Sequence, residues 1–204
     1  MRTDRLETFA DGVLAIAATL LILNVDTQVG EHVTDLGDRL LEIWPSYAAY
    51  AVSFLTIGII WVNHHTVMDQ FARVDRRFLF LNVVLLMCVA FVPFPTRLIA
   101  EHVRGDGLEG PALVYGATMT AMSIAYFTLW TYGVHRLLRD DADPRVIRGI
   151  TRSYLPGTWI YLTATLLAFV SPRASVIGFG LIALFYVVES SVFGGRSPSS
   201  TIST

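Results

Sequence analysis

The chain has 204 residues, 53% of them hydrophobic and only 16% charged, with a mean hydropathy of +0.54. Such a composition belongs to a protein that crosses a membrane several times and excludes an ordinary soluble domain. The formal net charge of −2 points to no strongly charged partner, and no nucleic-acid-binding feature is present. The single cysteine, Cys88, lies in an apolar run. It offers neither a disulfide framework nor a metal set and reads as a buried, inert thiol.

The first element, Arg5 to Asp26, reads RLETFADGVLAIAATLLILNVD and is long enough to span a bilayer. Asp4, Glu7 and Asp11 in its leading part, and the want of a small-residue cleavage site after it, set it apart from a signal peptide. Wound at about 100° per residue, it separates into two faces. Gly12, Ile16, Leu20 and Leu23, with Thr19 beside them, make a bulky apolar stripe. Asp11, Ala15, Ala18 and Ile22 make a small-residue stripe that begins with a carboxylate. Small residues admit a neighbouring helix closely, so the second stripe is the expected packing face. The first then faces lipid, a partner subunit or a pore.

Five further apolar segments of spanning length follow. After an acidic loop (Asp26, Glu31, Asp35, Asp38, Glu42), the second segment starts near Trp44-Pro45 and ends near Trp61. The third covers about 78 to 99 and carries Pro93-Phe94-Pro95, so it is expected to break near that end. A Gly-rich acidic loop, Glu101 to Gly110, leads to the fourth, about 111 to 134. An arginine-rich stretch, His135 to Arg152, with an Asp140-Asp141-Ala142-Asp143-Pro144 turn, precedes the fifth, about 154 to 171. The Ser171-Pro172-Arg173 turn opens the sixth, about 174 to 193. The expected architecture is an all-α integral membrane domain of six helices over 1–193, with a flexible Gly/Ser/Pro-rich tail over 194–204.

Arginine counting sets the orientation. With both termini on one side, that side collects Arg2, Arg5, Arg73, Arg76, Arg77, Arg136, Arg139, Arg145, Arg148, Arg152 and Arg196, against Arg39, Arg97, Arg104 and Arg173 on the other. Both termini are therefore expected in the cytoplasm, in a multi-pass protein of the cell's inner (plasma) membrane. This topology brings Arg5, Asp11, Asn63, His64, His65 and Asn82 to one depth near the cytoplasmic interface. A carboxylate in a membrane helix needs a partner, and these residues supply charge and hydrogen-bond donors.

The residues at this depth carry a resemblance. Arg5-x-x-x-Phe9-Ala10-Asp11 resembles the Arg-x-x-x-Phe-Ser-Asp signature on the first helix of the transmembrane protein 175 family, the endosomal and lysosomal potassium channels and their bacterial relatives. Ala10 departs from the usual serine. Trp61-x-x-His64-His65 and Pro93-Phe94-Pro95-Thr96 agree with the same family. A single six-helix unit resembles the bacterial form, which implies a homotetramer in a lipid bilayer with potassium ions as the permeant species and no cofactor. The resemblance further implies a pore lined by the first helix of four subunits, with Ile16, Leu20 and Leu23 as its constriction and Thr19 one turn past the first of them. The Thr-Val-Gly-Tyr-Gly filter of other potassium channels is missing from the sequence.

Each functional reading has a plainer counterpart. The Ile16 stripe also fits lipid-facing aliphatics, and Arg5 with Asp11 fits a topology anchor and packing network. Asp26 either forms a carboxylate ring at the outer mouth, where it would attract cations, or is the solvated end of its helix. His64 and His65 diverge by about 100° and do not readily share one ion; hydrogen bonding to Asp11 suits them better. A secondary transporter using Asp11, His64 and His65 is the alternative function, although no inverted repeat is found. An intramembrane enzyme would need a nucleophile or metal triad, and no coherent set is present. Trp44, Trp61, Trp130 and Trp159 read as interfacial and packing residues.

Overall fold

The computed structural model describes residues 3–25 and 36–193. Asp26 and the tail from 194 onward lie outside the described residues. Eight α-helices are present among the described residues: α1 (Asp4–Leu20), α2 (Leu36–Glu42), α3 (Trp44–Met68), α4 (Arg76–Phe91), α5 (Pro93–His102), α6 (Glu109–Arg136), α7 (Pro144–Leu166) and α8 (Pro172–Phe193). A tighter 3₁₀ turn, Leu21–Asn24, prolongs α1. Among the described residues, four stretches are long and apolar enough to cross a membrane: Asp4–Asn24, Trp44–Met68, Arg76–His102 and Glu109–Arg136. The chain is thus a multi-pass, all-helical membrane protein.

Local chemistry explains where the elements begin and end. Asp75 caps α4 by accepting from the Phe78 N–H at 2.8 Å, and Asp143 caps α7 by accepting from the Arg145 N–H at 2.7 Å. The expected break in the third segment falls between α4 and α5, at Val92-Pro93, where proline has no N–H to continue the ladder. Three expectations are corrected. Glu42 and Asp38, assigned to a loop, lie in the short helix α2. The fifth segment starts at Pro144 rather than near 154, so Arg145, Arg148 and Arg152 are helical. An Asp N-cap followed by Pro in the first helical position was the readable signal for that start. Cys88 is half-buried rather than buried.

The helix α6 is the centre of the packing, touching α4, α5, α7 and α8, while α1 lies against α3 and α4. Trp130 of α6 is fully buried, stacks obliquely on Phe71 and donates its indole N–H to Thr151 Oγ1 of α7 at 3.0 Å; it is a core residue, not part of an interfacial belt. Gly133 is required there, because a Cβ at this position would run into the Phe71 ring. The turn after α3 and the turn after α6 are joined by an isolated bridge, Phe71 to Leu138, through the Ala72 N–H to Leu137 O bond at 3.1 Å and the Arg139 N–H to Gln70 O bond at 3.1 Å. Tyr132 adds a hydroxyl bond to Asp75 Oδ2 at 2.5 Å. These contacts fix the end of the bundle at which the signature residues of α1, α3 and α4 lie.

Candidate functional site: the outward face of α1 and its anchors

In the single chain α1 buries one stripe and leaves the rest of its circumference open. The buried residues are Leu6, Ala10, Leu14, Ala17 and Leu21, an alternation of large and small side chains at i, i+4, i+8, i+11 and i+15. This corrects the expected packing face: Asp11, Ala15 and Ile22 are exposed and Ala18 is only partly buried. The true stripe is offset by one residue. Small residues mark the Asp11 stripe as the expected packing face, but the carboxylate at its head meets its partner from the flank.

That partner is Trp61 of α3, whose indole N–H donates to Asp11 Oδ1 at 2.9 Å. Sequence reasoning had given Trp61 no such role, although it opens the Trp61-x-x-His64-His65 motif. One turn along α3, His64 Nε2 meets Asn82 Oδ1 of α4 at 2.7 Å, and both side chains are buried. The Asn82 amide nitrogen is buried without a hydrogen-bond partner. His65 faces outward, as do Arg5 and Phe9. The structure therefore joins Asp11 to Trp61 and His64 to Asn82, and it does not gather Arg5, Phe9 and His65 with them. Neither histidine bonds Asp11.

At the far end of α1, Asn24 donates its amide to Pro93 O at 2.6 Å, anchoring the 3₁₀ turn at the α4–α5 break. Sequence reasoning missed this contact, which pairs two residues 69 positions apart. Between the two anchors the open face carries Ile16 at 61% exposure, Leu20 at 43% and Leu23 at 73%. Gly12 adds open space, with no atom within 4 Å of where a Cβ would sit. The Thr19 hydroxyl, exposed beside them, donates back to the helix, at 2.9 Å from Ala15 O and 3.0 Å from Ile16 O. Its hydrogen is committed to the backbone, so its oxygen lone pairs are what the face presents. Such a surface is unlike a ligand pocket: an apolar ridge with one acceptor oxygen, on a helix hydrogen-bonded to its neighbours at both ends. Among the described residues no cluster of three or more His, Cys, Asp or Glu side chains is positioned to hold a metal ion.

The chain is similar to known proteins in both sequence and fold. The family model for the endosomal/lysosomal potassium channel TMEM175 matches residues 5–93, the stretch from the signature arginine to the proline bonded by Asn24. A potassium channel of Streptomyces collinus is 43% identical over 187 residues, covering 90% of this chain and 91% of that one. A potassium channel of Chamaesiphon minutus is 39% identical over 192 residues, covering 92% and 95%. The crystal structure of a lysosomal potassium-selective channel TMEM175 homolog from Chamaesiphon minutus superposes with a TM-score of 0.85 at 37% identity, covering 92% of this chain and 97% of that one.

Proposed function

The chain belongs to the TMEM175 family of potassium channels, and we propose that it conducts potassium through a pore lined by α1 of four copies in the plasma membrane. The family is one of ion channels rather than enzymes. The observation that carries the pore assignment is the open ridge of Ile16, Leu20 and Leu23 on a helix anchored at both ends by Trp61–Asp11 and Asn24–Pro93. Four such ridges brought around one axis close into a narrow apolar neck.

Such a neck gates by dewetting: narrow and apolar, it empties of water and stops hydrated ions. A slight widening admits a cation that has shed part of its shell, which potassium does more readily than sodium. The outward lone pairs of Thr19 replace some of the lost water. In this reading Asp26 begins the outer mouth and attracts cations. α7 and α8 complete six crossings, with both termini in the cytoplasm, as the arginine distribution requires. The carrier alternative would use Asp11, His64 and His65 as one network; the bonds of Asp11 to Trp61 and of His64 to Asn82 support the channel reading over it.

Ion flux from potassium-loaded liposomes tests the proposal, with sodium and proton gradients as comparisons. Fast potassium flux that Ile16→Asn enhances supports a neck at Ile16. Slow flux that saturates, or flux indifferent to Ile16→Asn, overturns it.

A further inference from the structure

Away from α1, a cavity of about 240 Å³ opens between α3, α5, α6 and α8. Trp44, Val52, Ile99, Val103, Ile177 and Gly180 form much of its wall. The hydroxyls that also line it are spent on one another and on the backbone: Ser53 Oγ lies 2.8 Å from Thr96 Oγ1 and 3.3 Å from the Tyr115 hydroxyl, and Thr96 donates to Val92 O at 2.8 Å. A cavity this large and this apolar gives water too few partners to occupy it. Hydrocarbon fills it at no such cost.

The rim carries the opposite chemistry. The Arg104 guanidinium lies over the Trp44 ring at 5.7 Å from its centroid, and both side chains are exposed. Arg173 stands at the start of α8, one turn ahead of Ile177. Trp44 opens α3, and Val176 and Ile177 lie in the first two turns of α8, so the starts of these two helices border the cavity, and their dipoles favour an anion. The other outward-side arginine whose contacts are described, Arg97, is paired with Glu101 at 2.7 Å.

We propose that the cavity between α3, α5, α6 and α8 holds one acyl chain of an anionic phospholipid, with its phosphate at the Trp44–Arg104 rim. The assignment needs only that the protein is embedded in a bilayer; it is independent of which helix lines the pore, so a failed flux experiment leaves it standing.

Native mass spectrometry of the full-length protein, titrated with phosphatidylglycerol or phosphatidylcholine, tests it, with thermal unfolding in the presence of inorganic phosphate as a control. The wild type is expected to prefer phosphatidylglycerol by roughly fivefold, the worth of one arginine near a charged headgroup. Arg104→Gln is expected to abolish that preference while retaining lipid. Ala49→Trp and Gly180→Leu, which fill the cavity, are expected to lower occupancy by both lipids. Equal binding of the two lipids by the wild type, an unchanged preference in Arg104→Gln, or stabilisation by inorganic phosphate equal to that by phosphatidylglycerol would each overturn the proposal.

Discussion

Trp61 donates its indole N–H to the Asp11 carboxylate across the α1–α3 contact at 2.9 Å, and with the Asn24–Pro93 bond it anchors α1 on either side of its open ridge. A side-chain hydrogen bond of this kind contributes roughly 1 kcal/mol. Trp61→Phe keeps the aromatic bulk and removes the donor, and Asp11→Asn keeps the shape and removes the charge. Each is expected to lower the thermal stability of the assembled protein, and the double variant by less than the sum. Additive losses would show that the two side chains do not act as a pair.

Thr19 is expected to affect selectivity and not folding. Its hydroxyl donates only to Ala15 O and Ile16 O of its own helix, so Thr19→Val sacrifices no contact between elements. Reversal potentials in mixed potassium and sodium are expected to show reduced discrimination, with assembly unaltered on size exclusion. Unchanged selectivity would remove Thr19 from the pore.

Asp75 gives the fold an acid-sensitive joint. The Tyr132 hydroxyl and the Phe78 N–H both favour its ionised form and hold its carboxyl below the usual carboxylate range. A depressed folded-state value means the stabilisation is fully present above the unfolded carboxyl's pKa of about 4. It is lost as pH falls through the lower folded-state value. Asp75→Asn, which can still cap α4, is expected to flatten the dependence of melting temperature on pH in that acid window; an unchanged slope would mean another carboxylate governs it.

Gly133 faces the Phe71 ring, and a methyl there overlaps ring carbons. Gly133→Ala is expected to destabilise the α6 junction by about 1–3 kcal/mol, the usual cost of overpacking. Gly149→Ala, inside α7 with no atom within 4 Å of the added carbon, serves as the control and is expected to raise stability by up to about 1 kcal/mol, the helix preference of Ala over Gly. Equal melting temperatures for the two would contradict the packing described.

Much of this protein was legible in its sequence because a bilayer imposes simple rules. Backbone polar groups buried in lipid force helices, so apolar runs located α1, α3, α4–α5 and α6, and Pro93 marked the break. Ile16, Leu20 and Leu23 fell on one face by periodicity alone, and the Arg5 to Asp11 signature pointed to the family. Periodicity fixes which residues share a face, but not which face is buried, because in lipid both are apolar. Only packing decided that Leu6, Ala10, Leu14, Ala17 and Leu21 turn inward, one residue from the expected stripe. The partners of Asp11 and Asn24, and the acyl-sized cavity behind Trp44, likewise depend on contacts between residues far apart in the chain, which no local pattern records.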